Sequence, residues 1–511
     1  MTASITRLPA RLGPPLAIAA GAVLLRVAGG VGFANYDTLY ALAWGGQLSR
    51  GATPAYDVPI APTPHPLVEL LGAVLSPLGP RAVDEVTVAL GFLALSACGW
   101  VVYELGAAWF GRAAGALAAL VLLTRVPVLS YGVRAYVDIP YLLLVLGALL
   151  IESRRRAIED RPAGAPVLAL LALAGLLRPE AWAFSGLYWL YLMSWTPPFV
   201  RARARGSERP PTSFGEWPLR TRRQLAGITL LALAAPLVWL LSDLAITGDP
   251  LWSLTNTRHT AATLHRITGI ANVPEYIPRR IGEILRPPVL AGAALGGVLS
   301  LIWLRRRALL GAAAGVLAVV VFAAFATIGL PINTRYAFLA AAILCLFCGA
   351  GAFGWTRLDR RDPRRRWWMA GGALVLIALL AYAPSQYRSA HRELDKLARQ
   401  QSIQDDLLAL VEDGAITLRC GPVGVPNHAP VGLLALYLKT SPRNIVSASE
   451  GTAGARVKPI SSGDYVDPAS REVEDVYILD PLDPHLPANV PPGFTEVHAN
   501  RSWLIFQRCA P

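Results

Sequence analysis

Charge is scarce in this sequence. Of its 511 residues only 16% are charged, where soluble domains carry about a quarter, while 54% are hydrophobic and the mean hydropathy is +0.44. A soluble fold of this length needs a fuller polar shell, because surface still scales steeply with mass. The scarcity excludes a soluble enzyme, a disordered chain and a fibrous repeat, and leaves a polytopic membrane protein. Cysteine is scarce too. Five residues make neither a disulfide framework nor a zinc site, and Cys98, Cys345 and Cys348 fall in apolar runs, as core residues do. The sequence also lacks a Gly-x-x-x-x-Gly-Lys P-loop, a Rossmann fingerprint, a His-Glu-x-x-His pair and a Gly-x-Ser-x-Gly elbow. No connection on the arginine-rich side resembles a site for a nucleotide donor.

Acidic residues are outnumbered, 34 against 47 Lys+Arg, for a net charge of +13. The arginines cluster between apolar runs, where lipid headgroups would meet them, which speaks against nucleic acid as the partner. A span needs roughly 20 apolar residues. About eleven segments approach that: 14–33, 86–109, 113–130, 137–152, 165–178, 181–196, 225–246, 288–304, 308–330, 336–355 and 367–383. Three of them (137–152, 165–178 and 181–196) are short and interrupted by Asp-Ile-Pro or Arg-Pro, as in broken helices that line a cavity. With this count, Arg154–Arg156 with Arg161, Arg201–Arg223, Arg305–Arg307 and Arg357–Arg366 all fall on the side of the N-terminus with its Arg7 and Arg11. The positive-inside rule makes that side cytoplasmic. The first run is long and followed by further spans, so it reads as an anchor in a multi-pass cell-membrane protein rather than a signal peptide.

The expected organisation is an α-helical transmembrane unit over 1–384, with outer loops 34–84 and 247–287, and a small extracytoplasmic α/β domain over 385–511. In the latter, residues 415–420, 444–449, 474–479, 494–498 and 502–507 read as strands and 430–438 as a helix. Cys420 and Cys509 stand near strand ends, and a disulfide between them would persist outside the cytoplasm. Asn500-Arg501-Ser502 matches a glycosylation sequon.

Chemistry-bearing residues gather on the outer side. Asp37 opens a stretch whose Leu39, Leu42, Ala43 and Leu48 have helical spacing, suggesting an amphipathic helix at the interface. Asp57 follows, then His65 in a stiff Pro-rich run. Arg134 and Asp138 flank the fourth span, where they could pair at i, i+4 or serve a site. Arg178-Pro179-Glu180 interrupts the run between the fifth and sixth spans, and Arg335 opens the tenth. Charges at membrane depth are costly and usually face a cavity or each other. Thr247-Gly248-Asp249-Pro250 signals a turn after the seventh span, followed by Arg258, His259, His265 and Arg266, which could meet a phosphate or simply face headgroups.

These features, in this order, resemble the GT-C glycosyltransferases, of the protein mannosyltransferase and aminoarabinose transferase type. The resemblance rests on Asn35-Tyr36-Asp37 beyond the first span, the Pro-rich stretch Ala61–Leu67, the run Leu177-Arg178-Pro179-Glu180-Ala181 and the turn Gly248-Asp249-Pro250-Leu251, over about residues 10–385. The chain departs from the family where Thr38 follows Asp37 in place of a second acidic residue, and where Leu177 and Ala181 replace the family's Thr and Gly. The resemblance implies transfer of a sugar from a polyprenyl-phosphate donor to a hydroxyl of a glycan, lipid or protein acceptor on the outer face. It puts Asp37 in the place of the catalytic base.

Such a reaction passes through an oxocarbenium-like state and asks for a carboxylate to take the acceptor's proton. Its lipid-phosphate leaving group asks for guanidinium forks, for which Arg335, Arg178 and Arg258 are the candidates. Asp57, His65, Arg134, Asp138, Glu180 and His259 are expected around the pocket. One displacement with one base inverts the anomeric carbon. Fixed guanidiniums make a cofactor unnecessary, with a divalent metal left open. The alternative is a polytopic lipid or polysaccharide transporter or flippase without transferase chemistry, which would carry internal repeats; none is visible.

Overall fold

The computed structural model describes residues 7–159, 161–194, 219–448, 460–478 and 490–509. Arg201, Arg203, Arg205 and Arg209 of the second arginine cluster lie outside them, as do residues 449 and 479 of two expected strands. Among the described residues each expected apolar segment is mostly helical. The helices are Arg7–Gly29, Pro80–Phe110, the pair Arg112–Leu123 and Val126–Val133 bent by 66°, Asp138–Glu159, Ala165–Leu177, Glu180–Ser194, Leu219–Thr247, Val273–Trp303, Arg305–Thr327, Phe338–Phe353 and Arg364–Glu412. Among the described residues seven helices, or eight with the bent pair, are long and apolar enough to cross a membrane. The segments Asp138–Glu159, Ala165–Leu177 and Glu180–Ser194 do not meet that measure. The chain is a multi-pass membrane protein.

Small residues set how closely the helices approach. Ala340, Ala341, Ala342, Gly349 and Gly351 bury Phe338–Phe353 along almost its whole length. A methyl on Gly292 would stand 2.7 Å from the Cys348 sulfur, which is the close contact that lipid-embedded helices use in place of a hydrophobic driving force. Outward-facing Leu230, Leu241, Val316 and Leu380 are more than half exposed, as lipid-facing residues must be.

Three of the arginine clusters, those at Arg154–Arg156, Arg305–Arg307 and Arg357–Arg366, share one end of the bundle. Arg154 pairs with Glu104, Arg357 donates to the Ala107 carbonyl, and Gly311, one turn beyond Arg305–Arg307, packs on Trp109. All three meet the C-terminal end of Pro80–Phe110. The residues singled out for chemistry occupy the opposite end.

There the first outer loop forms two helices, Tyr36–Ser49 and Pro66–Leu75. The former is not amphipathic at an interface. Its residues Thr38–Gln47 are all buried, because the Pro66–Leu75 helix covers one side and the short helix Val431–Tyr437 packs over Tyr40 on another. Arg364–Glu412 runs on for 49 residues, through Pro384, out of its apolar stretch into the C-terminal region.

Among its described residues that region holds five strands: β1 (Val423–Val425), β2 (Ile445–Ser447), β3 (Gly463–Pro468), β4 (Thr495–Ala499) and β5 (Trp503–Arg508), in the order β2-β1-β3-β5-β4. β1 runs parallel to β2 and β3, and β5 antiparallel to β3 and β4. Two expected strands are corrected. Residues 415–420 are irregular, and Glu474–Ile478 is a helical turn following a Ser470 cap. β3 was not expected, since Asp464, Asp467 and Pro468 are poor strand formers. It forms because the Asp464 carboxylate is satisfied by the Thr417 amide at 2.7 Å and the Gln507 side chain at 2.8 Å. Cys420 and Cys509 are joined by a disulfide that ties the chain ahead of β1 to the end of β5.

Candidate functional site

Asp37 is placed by its neighbour Asn35. The Asn35 side-chain oxygen caps the Tyr36–Ser49 helix by accepting from the amides of Asp37 at 2.8 Å and Thr38 at 3.3 Å. Its amide nitrogen donates to the Arg134 carbonyl at 3.0 Å, and the Thr38 hydroxyl donates to the Ala135 carbonyl at 2.9 Å. The helix start is thus pinned to the irregular turn that precedes Asp138–Glu159, with Asp37 in the first turn, where the dipole favours a carboxylate.

Arg335 reaches Asp37 from 298 residues away and donates through Nη1 at 2.5 Å. The same nitrogen lies 4.0 Å from Asp138. Asp138 in turn contacts Arg178 directly, and Arg178 holds Glu180 at 2.5 Å. Arg134 is no partner of Asp138: its guanidinium bonds the Ser130 hydroxyl and carbonyl and lies over Tyr131 and Tyr136. The result is an alternating row, Asp37–Arg335–Asp138–Arg178–Glu180, with Tyr336 against both arginines. Buried charges persist only when paired in this way. Burial pushes the Asp37 carboxyl up, but the charge and hydrogen bond of Arg335, with help from Arg266, more than offset it and hold the group below the usual carboxylate range.

The row borders a cavity of about 790 Å³. Asp37, His65, Arg134, Arg178, Glu180 and Arg335 line it, and Asp138 stands behind Arg178. Asp57, Arg258 and His259 do not line it. Asp57 is at the surface, held by Arg443 at 2.7 Å, and Arg258 donates to the Ile328 carbonyl at 2.5 Å. Arg266 takes the inward position instead. It follows His265, whose φ is +50°, on a segment stitched to the neighbouring one by the Ile332 amide on the Ile267 carbonyl at 2.8 Å.

Several lining groups escape a reading of the sequence: Arg280, Trp182, Trp239, Asp243, Lys396 and His428. Asp243 accepts from the Ser253 amide and hydroxyl, both at 2.8 Å. It and Trp239 sit one turn apart in an apolar helix, and that isolated carboxylate was the available signal. Lys396 and His428 come from the C-terminal region, which therefore forms part of the wall.

The sequence matches no family model and no curated protein. In fold the chain is similar to ArnT from Cupriavidus metallidurans bound to undecaprenyl phosphate, with a TM-score of 0.55 over 97% of this chain and 98% of that one, at 15% identity. The oligosaccharyltransferase of Archaeoglobus fulgidus is also similar. Its apo form gives a TM-score of 0.48 at 12% identity, and the form with an inhibitory peptide and a dolichol-phosphate gives 0.46 at 13%, each over 92% of this chain and 70% of that one. The likeness is one of fold: the chain shares the overall architecture of that ArnT structure.

Proposed function

We propose that the protein is a membrane glycosyltransferase that moves a sugar from a polyprenyl-phosphate donor to an acceptor hydroxyl on the outer face of the membrane. One observation carries this reading: a carboxylate from the first outer loop and a guanidinium from a distant turn, Asp37 and Arg335, meet at 2.5 Å on the wall of a cavity of about 790 Å³. Asp37 accepts the acceptor's hydroxyl proton, the acceptor oxygen bonds to the anomeric carbon, and the bond from that carbon to the phosphate oxygen breaks, with inversion. Arg335, Arg178 and Arg266 balance the charge that develops on the lipid phosphate. This assigns Arg266 the third place, which the reading of the sequence gave to Arg258.

The shared end of the arginine clusters supports a cytoplasmic N-terminus and a cavity on the outer side. The region from residue 385 on then lies outside, and its Lys396 and His428 help to cap the cavity. No cofactor enters this scheme; the lipid-linked sugar is a substrate. The test is transfer from a panel of undecaprenyl-phosphate sugars by wild type and Asp37→Asn in lipid nanodiscs. A drop of about 10²–10⁴ with undecaprenyl phosphate still bound is expected for a lost base. Lipid movement across the bilayer with no transfer by the wild type would instead favour a flippase.

A further inference from the structure

His65 sits between Pro64 and Pro66, so its backbone has little freedom. The residue is 7% exposed and lines the cavity. Nδ1 lies 2.8 Å from the Leu177 carbonyl oxygen. A carbonyl only accepts, so Nδ1 carries the proton. In a neutral imidazole the other nitrogen, Nε2, then holds a lone pair and can only accept. Burial pushes the His65 pKa down to about 4, and Arg178 and Arg335 push the same way against the pull of Asp37, so the ring is neutral in the physiological range. Among the described residues, the one bond that the ring makes is through Nδ1. A deeply buried, orientation-locked acceptor therefore stands in the cavity wall within the electrostatic reach of Asp37.

An acceptor lone pair repels a phosphate oxygen, which also only accepts. It suits a donor, and the donor that sugar chemistry offers is a hydroxyl. We infer that His65 is a substrate-binding residue whose Nε2 accepts a hydrogen bond from a sugar hydroxyl held beside Asp37. That hydroxyl belongs either to the sugar being transferred or to the attacking acceptor, and the same geometry serves both. The Leu177 carbonyl that sets the tautomer immediately precedes Arg178, so the hydroxyl-binding group and a phosphate-binding cation are fixed by one short segment. This inference rests on the proposed transferase reading and adds a division of labour to it: arginines for phosphate, His65 for hydroxyl.

Two substitutions separate the nitrogens. His65→Asn keeps an amide donor near the Nδ1 position for Leu177 but removes Nε2. His65→Gln carries an amide to the Nε2 position. In nanodiscs, affinities are measured for bare undecaprenyl phosphate and for undecaprenyl phosphate carrying the sugar that the wild type transfers, together with KM for the acceptor and the thermal midpoint. The expected result for His65→Asn is an unchanged midpoint, bare-carrier binding within about twofold of wild type, and a loss of about tenfold in either donor-sugar affinity or acceptor KM, the size of one buried neutral hydrogen bond. His65→Gln restores part of it. A loss in donor affinity places the hydroxyl on the transferred sugar, and a loss in acceptor KM places it on the nucleophile. Equal weakening of the bare carrier, or no change in either substrate, overturns the inference and leaves the transferase reading standing. A wild type that binds no undecaprenyl phosphate and transfers no sugar overturns both.

Discussion

Gly72 presses its bare Cα face against the backbone of Leu42. A methyl there would stand 2.8 Å from the Leu42 carbonyl oxygen, and Gly45 meets the backbone of the opposing helix in the same way. This crossing fixes the helix that carries Asp37 against the one that begins just after His65. Gly72→Val must push the two apart, and overpacking of this kind costs about 1–3 kcal/mol. Its thermal midpoint should fall, and transfer should fall further than the folded yield, because the displacement falls on the groups that line the cavity. Gly186, where an added methyl would meet nothing within 4 Å, is the control: Gly186→Ala should leave both measurements unchanged.

Asp37 and Arg335 make a prediction about pH. The carboxyl is held below its ordinary value by Arg335 despite burial. A depressed folded-state value means that the ionised pair stabilises the protein above the unfolded carboxyl's pKa, and that this contribution is lost as pH falls through the folded value. Wild-type transfer should therefore show no acid limb from Asp37 near pH 5. In Arg335→Gln the opposing cation is gone and burial dominates. Transfer should drop by about 10² or more, and the residual rate should acquire an acid limb at higher pH than in wild type. A pH–rate profile of both proteins checks this, and an unmoved limb would remove Arg335 as the partner that sets Asp37.

Glu69 offers a second pH test, of stability rather than rate. It is 3% exposed, accepts from the Tyr56 hydroxyl at 2.6 Å, and is pushed by burial up to about 7. Between the ordinary carboxyl value and about 7 the folded protein holds a proton that the unfolded chain has released, so stability declines as pH rises through that window. The wild-type thermal midpoint should fall by a few degrees from pH 5 to pH 7.5, of the order expected for a few kcal/mol. Glu69→Gln, which cannot ionise, should give a flatter curve over the same range.

The contrast between Asp37 and Asp243 shows what the sequence discloses. Asp37 stands just past an apolar run, in a loop with Asn and aromatic neighbours, and the order of motifs gives it a role. Asp243 lies inside an apolar helix, and only the packing of Leu219–Thr247 against Trp252–Thr263 turns it to the cavity through its bonds with Ser253. Arg258 and Arg266 look alike in sequence. The His265 backbone, with φ +50°, turns one inward and leaves the other at the rim, which no spacing rule encodes. Apolar length and arginine placement reveal the helices because they are local properties. β3 is hidden because its two buried-face requirements, satisfied at Asp464, come from Thr417 and Gln507, far away in the chain. Lys396 and His428 join the site only through the way the C-terminal region sits over Tyr36 and Tyr40.

That last relationship can be loosened through the disulfide. Cys420 and Cys509 close a loop with a sequence separation of 89, and removing a bridge of that kind costs about 2–5 kcal/mol. The remaining cysteines, Cys98, Cys345 and Cys348, are each 0% exposed. Maleimide should therefore label no thiol in the native oxidised protein, and two after mild reduction. In the double variant Cys420→Ser with Cys509→Ser, the membrane helices keep their own packing, so limited proteolysis should accelerate between residues 415 and 509 and little elsewhere. Because His428 packs on Tyr36 and precedes the Val431–Tyr437 helix, which packs on Tyr40, the cavity wall beside Asp37 should loosen with it. Transfer should fall through a raised acceptor KM more than through donor binding, since Arg178, Arg266 and Arg335 all belong to the membrane helices and their connections. A variant that loses donor binding first would place the C-terminal region on the phosphate rather than over the acceptor.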